Sequence, residues 1–142
     1  MPGLWIPILD GTPDFAAADV LACQNQASCF PEFPEAAGSL DHVSRFRRDY
    51  LLPHEQRHPR LLIISDSFGT AIAPGFAPYF AEVWHFSVNS LDQRLTPAQQ
   101  EQVRHISIDL FHPDIVLFVF SEATLMFAAD NLQVASRFVT GK

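Results

Sequence analysis

No apolar run in this sequence approaches the ~20 residues that span a bilayer. Basic residues are scarce, nine Lys and Arg against sixteen Asp and Glu, for a net charge of −7. That balance argues against a broad nucleic-acid or anionic-membrane surface and leaves only the local cluster Arg45, Arg47 and Arg48. The opening MPGLWIPILD lacks the basic n-region and long apolar h-region of a signal peptide, so the chain is expected to be cytoplasmic, or periplasmic as a piece of a longer exported protein. Two cysteines are too few for a four-ligand zinc site. Neither GxGxxG nor GxxxxGK[ST] occurs, which disfavours a nucleotide-binding, flavodoxin-like role for the chain.

What remains is a 142-residue chain with 48% hydrophobic residues, enough for one domain with a packed core. Cys23 and Cys29, in CQNQASC, can close a small disulfide loop in an oxidising compartment or remain thiols in a reducing one. Residues 1–57 read as an irregular and helical N-terminal segment. Thr12 and Pro13 predict a short helix over about 13–23, and the charged stretch from Asp41 predicts a second, stopped by Pro53.

Residues 58–142 are more regular. LLIIS at 61–65 is the short apolar run of a buried parallel strand, EVWHFSV at 82–88 reads as a second strand, and IVLFVF at 115–120 as a third. Between them a short helix is expected around Phe76 to Phe80, and a longer one after Thr96, with Pro97 at its first position. A last helix is expected from Ala123 to about Phe138. The alternation predicts an α/β fold of three layers, with a short parallel sheet flanked by helices.

In open α/β sheets, ligands bind beyond the carboxyl ends of the strands. The first strand ends in Ser65-Asp66-Ser67-Phe68-Gly69, the second near Ser87, Asn89 and Ser90, and the third in Ser121-Glu122. A serine on a tight strand-to-helix turn presents its hydroxyl outward, beside backbone N–H groups that can stabilise an oxyanion. Asp66 and Ser67 can equally serve as simple helix caps. Phe76, Tyr79, Phe80, Trp84, Phe86, Phe111, Phe118, Phe120 and Phe127 fit core positions better than a sugar platform.

HPRLLIISDSFGTAIAPGFAPYFAEVWHF, followed by HPDIVLFVFSEATL, resembles the SGNH hydrolase-like superfamily, and within it the AlgX/AlgJ type of alginate and exopolysaccharide O-acetyltransferase domain. The likeness spans about residues 58–126 and implies an SGNH/flavodoxin-like fold and a carbohydrate O-acetyltransferase or esterase; it calls for a carbohydrate or acyl-donor substrate and does not call for a metal or organic cofactor. It implies Ser67 as the acyl-accepting nucleophile and matches Asp66 and Glu122 to family positions; Gly69 in the turn and Asn89 at the second strand's end complete the residues expected around the oxyanion and substrate. Ser65 stands where the family has Gly, and Ala123 where an Arg commonly follows the Glu. The Asp-x-His that this type carries upstream of its serine is absent, because Asp41 and His42 are adjacent. His42, His54 and His58 precede the first strand and can fold over the sheet edge, and His42 is the candidate base. His85 fits a buried structural histidine. The alternative is a catalytically incomplete remnant or fragment, a binding or assembly module in a polysaccharide-modification complex.

Overall fold

The computed structural model describes residues 6–7, 20–24, 26–40, 42–48, 59–88, 94–127 and 130–141. Six strands form one sheet: β1 (Ile6–Pro7), β2 (Val20–Gln24), β3 (Val43–Arg48), β4 (Arg60–Ser65), β5 (Glu82–Ser87) and β6 (Ile115–Val119). Their spatial order is β1-β2-β3-β5-β4-β6. β4 pairs in parallel with both β5 and β6, as the alternation predicts. The expectation of a wholly parallel sheet fails, because β1, β2 and β3 extend it antiparallel from β5.

That extension also overturns the helix predicted from Asp41 and the end of the one predicted over 13–23, whose residues 13–19 lie outside the described residues. Residues 43–48 are a strand because both neighbours claim them: β2 on one side and β5 on the other. Val43 and Phe46 are buried, one in each of the two cores. Arg45 turns inward as well, its guanidinium 2.8 Å from Glu82 and 2.7 Å from Glu32, and 4.9 Å above the Trp84 ring. A basic residue that looks like a solvated helix face thus behaves as a core-lining group, which its long stem and flat head allow. Residues 20–24, at the end of the other predicted helix, pair with β3, and a disulfide joins Cys23 to Cys29.

The helices are α1 (Pro34–Ser39), α2 (Gly69–Phe76), α3 (Pro97–Arg104), α4 (Glu122–Phe127) and α5 (Asp130–Thr140). α2 starts earlier than expected and runs into a 3₁₀ turn at Ala77–Tyr79. α3 begins at the predicted cap: Thr96 Oγ1 accepts from Gln99 N–H, and the Gln99 side chain accepts from Thr96 N–H. It widens at His105–Leu110 into a π-helical turn. The helix expected over 123–138 is described as α4 and α5, on either side of residues 128–129, which lie outside the described residues.

Alternation sends each strand's side chains to opposite faces. On one face Leu61, Ile63, Val83 and Phe46 meet Ala73 and Ala77 of the α2 segment. On the other, Leu62, Ile64, Trp84 and Phe86 meet α1, α3 and α5 through Ala36, Val103 and Phe138. Helices on both faces of a mixed sheet make a three-layer α/β architecture. Trp84, Phe86 and Phe111 are core residues as expected, whereas Phe118 is 39% exposed on edge strand β6. No helix among the described residues is long and apolar enough to cross a membrane.

Candidate functional site

β4 ends in a turn whose hydrogen bonds are local. Gly69 N–H donates to Asp66 O at 3.1 Å and Thr70 N–H to Ser67 O at 3.2 Å, so the chain enters α2 directly. The Asp66 carboxylate accepts from Phe68 N–H at 2.9 Å and from Ser121 N–H at 2.8 Å. Asp66 N–H donates to Val119 O at 3.3 Å. Asp66 therefore clamps the exits of β4 and β6 together. Its buried carboxylate holds the turn and is not presented to a ligand.

Ser67 is the next residue and is exposed. Among the described residues no hydrogen bond engages its N–H, and no histidine bonds its hydroxyl. Glu122, exposed, opens α4 directly after Ser121 and so stands at the same edge. Asn89, His54 and His58 lie outside the described residues.

His42 reaches this edge by the antiparallel extension. Its carbonyl accepts from Ser87 N–H at 3.0 Å, which places it beside the carboxyl end of β5. The ring is half buried, with Nδ1 inside.

His85 is buried, as expected, but it is not inert packing. Its Nε2 lies 2.6 Å from Ser65 Oγ, and the Ser65 hydroxyl donates to Asp66 O at 2.6 Å. With that proton committed, Nε2–H of a neutral imidazole donates to Ser65 Oγ. Burial, reinforced by nearby His42 and opposed by Asp66, pushes the His85 pKa down to about 4. Gly69 permits this pair to sit under α2: a Cβ there would overlap Ser65 Oγ and come within 2.6 Å of His85 Nε2. Sequence reasoning missed the pair. Its signal is the strand register, which sets Ser65 beside Ser87 and Ile63 beside His85 on adjacent parallel strands.

Asp109-Leu110-Phe111-His112, another Asp and His close in sequence, lies elsewhere. It precedes β6, whose first residue is level with Leu61, whereas Ser65 is level with Val119. Asp109 pairs with His105 at 3.0 Å, and Asp114 accepts from Arg60 N–H at 2.8 Å, so these groups serve the opposite end of the sheet. No cluster of three or more His, Cys, Asp or Glu with metal-binding geometry occurs among the described residues.

No protein-family profile and no curated protein matches this chain. Among solved structures it is similar to a DHHW family protein from Eubacterium siraeum, with 15% identity and a TM-score of 0.51. The match covers 83% of this chain and 40% of that one, so the chain spans less than half of its structural relative. At that identity the likeness establishes a shared α/β architecture.

Proposed function

We propose that this chain is a serine-dependent acyl-transfer domain of the SGNH hydrolase-like kind, a carbohydrate O-acetyltransferase or esterase in polysaccharide modification. The observation that carries the reading is the β4–α2 turn, which exposes Ser67 while Asp66 anchors the backbone on either side. His42 is the base. Ser67 Oγ attacks the acyl carbon as its proton passes to His42 Nε2. Ser67 N–H, with Asn89, stabilises the oxyanion. Collapse expels the leaving alcohol, which takes the proton back from His42, and a sugar hydroxyl or water then attacks the acyl-serine. Gly69 keeps the helix start close to the strand, and Glu122 faces the acceptor. The Cys23–Cys29 disulfide supports an oxidising compartment such as the periplasm.

A second reading makes Ser65 the nucleophile, favoured by its 2.6 Å contact with His85 but requiring the other His85 tautomer, with Nε2 unprotonated. Its burial opposes that role, because substrate would reach it only after α2 lifts. Labelling with a serine-directed fluorophosphonate and turnover of p-nitrophenyl acetate test both. Loss of labelling and turnover in Ser67→Ala but not in Ser65→Ala is expected. The reverse pattern moves the nucleophile to Ser65. No labelling of the folded protein overturns acyl transfer and leaves a non-catalytic binding or assembly module.

A further inference from the structure

The α2-facing side of β3 and β5 carries a polar quartet inside an otherwise apolar layer. Ser44 is the register partner of His85, and the Ser87 N–H to His42 O bond sets His42 opposite Ser87. Residues two apart share a face, so His42 and Ser44 on one strand meet Ser87 and His85 on the next. His42 and His85 are diagonal neighbours, about 7–8 Å apart at the backbone and within reach of each other's rings.

Each member of this quartet buries a side-chain atom with no hydrogen-bond partner: His42 Nδ1, Ser44 Oγ, Ser87 Oγ and His85 Nδ1. Thr70 Oγ1, in the first turn of α2, is a fifth. Five such atoms left dry would cost as much as the stability of an ordinary domain. Enclosed polar atoms in a cluster are what holds ordered internal water, each molecule making about three bonds.

We propose that the quartet binds internal water joining His42 Nδ1 to His85 Nδ1, which makes His85 a positioning residue for His42. The proton positions follow from groups already fixed. Ser65 donates to Asp66 O, so His85 Nε2–H donates to Ser65 and His85 Nδ1 is an acceptor. The water donates to that nitrogen and accepts from His42 Nδ1–H. His42 Nε2 is then the lone-pair nitrogen. A base histidine needs that tautomer, which a carboxylate commonly fixes. Here a neutral imidazole and a water take the carboxylate's place. The role in catalysis rests on the Ser67 and His42 reading above; the water link itself does not.

Two-bond ¹⁵N–¹H correlation spectra of the whole chain near pH 7.5 read the tautomers directly. His42 is expected to carry its proton on Nδ1 and His85 on Nε2. His85→Asn keeps an amide near the Nδ1 position and should preserve the His42 tautomer. His85→Gln keeps one near Nε2 instead and should leave His42 averaging between tautomers. In ester turnover, kcat should fall roughly 10- to 100-fold in His85→Gln and less in His85→Asn, with KM little changed. If His85→Gln does not fold, Ser44→Ala removes one water partner and should also move the His42 Nδ1 resonance. A wild-type His42 protonated on Nε2, or a His42 signal indifferent to these substitutions, overturns the link. Turnover that survives Ser67→Ala overturns Ser67 as the nucleophile alone, because the tautomer measurement does not depend on it.

Discussion

Gly69 is where the turn, the helix start and the Ser65–His85 pair meet, and replacing it with alanine measures how tightly they are fitted. Its φ lies outside the left-handed region, so alanine meets no backbone objection and the whole effect is contact. The added Cβ would fall on Ser65 Oγ, 2.5 Å from Ser65 Cβ and 2.6 Å from His85 Nε2. The hydroxyl can rotate, but Ser65 Cβ is fixed by the strand, so α2 must shift. Overpacking of this kind costs about 1–3 kcal/mol, and breaking the buried Ser65–His85 bond adds about 1–3 kcal/mol. The sum, about 2–6 kcal/mol, is a large part of the 5–15 kcal/mol typical of a domain. With a urea m-value of about 1–3 kcal/mol/M, the unfolding midpoint should fall by on the order of 1–2 M. Gly75→Ala is the control. It lies in the same helix with nothing within 4 Å of its would-be Cβ, and should stabilise by about 0.5–1 kcal/mol. In a Ser65→Gly background, Gly69→Ala should cost at least about 1 kcal/mol less, since its nearest obstacle is gone. A Gly69→Ala protein within about 0.5 kcal/mol of wild type would refute the close fit.

Other predictions follow from the same site. His85 titrates near 4 in the fold against 6.5 when unfolded, so between those values the unfolded chain binds more protons. Its contribution, on the order of 3 kcal/mol, is complete above pH 6.5 and lost as pH falls towards 4. Urea unfolding from pH 4.5 to 7.5 should show that slope, and His85→Gln should flatten it. Asp66→Asn offers one acceptor oxygen where two backbone N–H donors now meet a carboxylate, and should cost about 2–4 kcal/mol by denaturant unfolding. Reducing the Cys23–Cys29 bond, six residues apart in sequence, should cost about 2 kcal/mol, read as a lower thermal midpoint in dithiothreitol.

The parallel core was legible because its residues obey local rules. Leu61 to Ile64 are apolar on both faces, and Thr96-Pro97 with Gln99 is a complete helix start. β3 was not legible, because Arg45 and Arg47 mask its alternation. Arg45 is drawn inward by partners that include Glu32, Glu82 and Trp84, 13 to 39 positions away. The turn at Ser67 could be placed from the strand before it and the glycine after it. The Ser65–His85 bond could not, since it requires knowing that β4 and β5 are neighbours in one register. The likeness in sequence ran only from about 58 to 126, so it offered nothing on how His42 reaches the sheet.

The two margins of the sheet are unlike. β1 is two residues long and includes Pro7, which has no N–H to offer a further strand. β6 is five residues, Ile-Val-Leu-Phe-Val, with no charge or proline, and Ile115 and Phe118 are partly exposed on its opposite faces. Among the described strands β6 pairs only with β4. Among the described residues the sheet therefore has a blunted side and an extensible one. Addition at the extensible side would leave the Arg45 network and the disulfide of the far wing untouched.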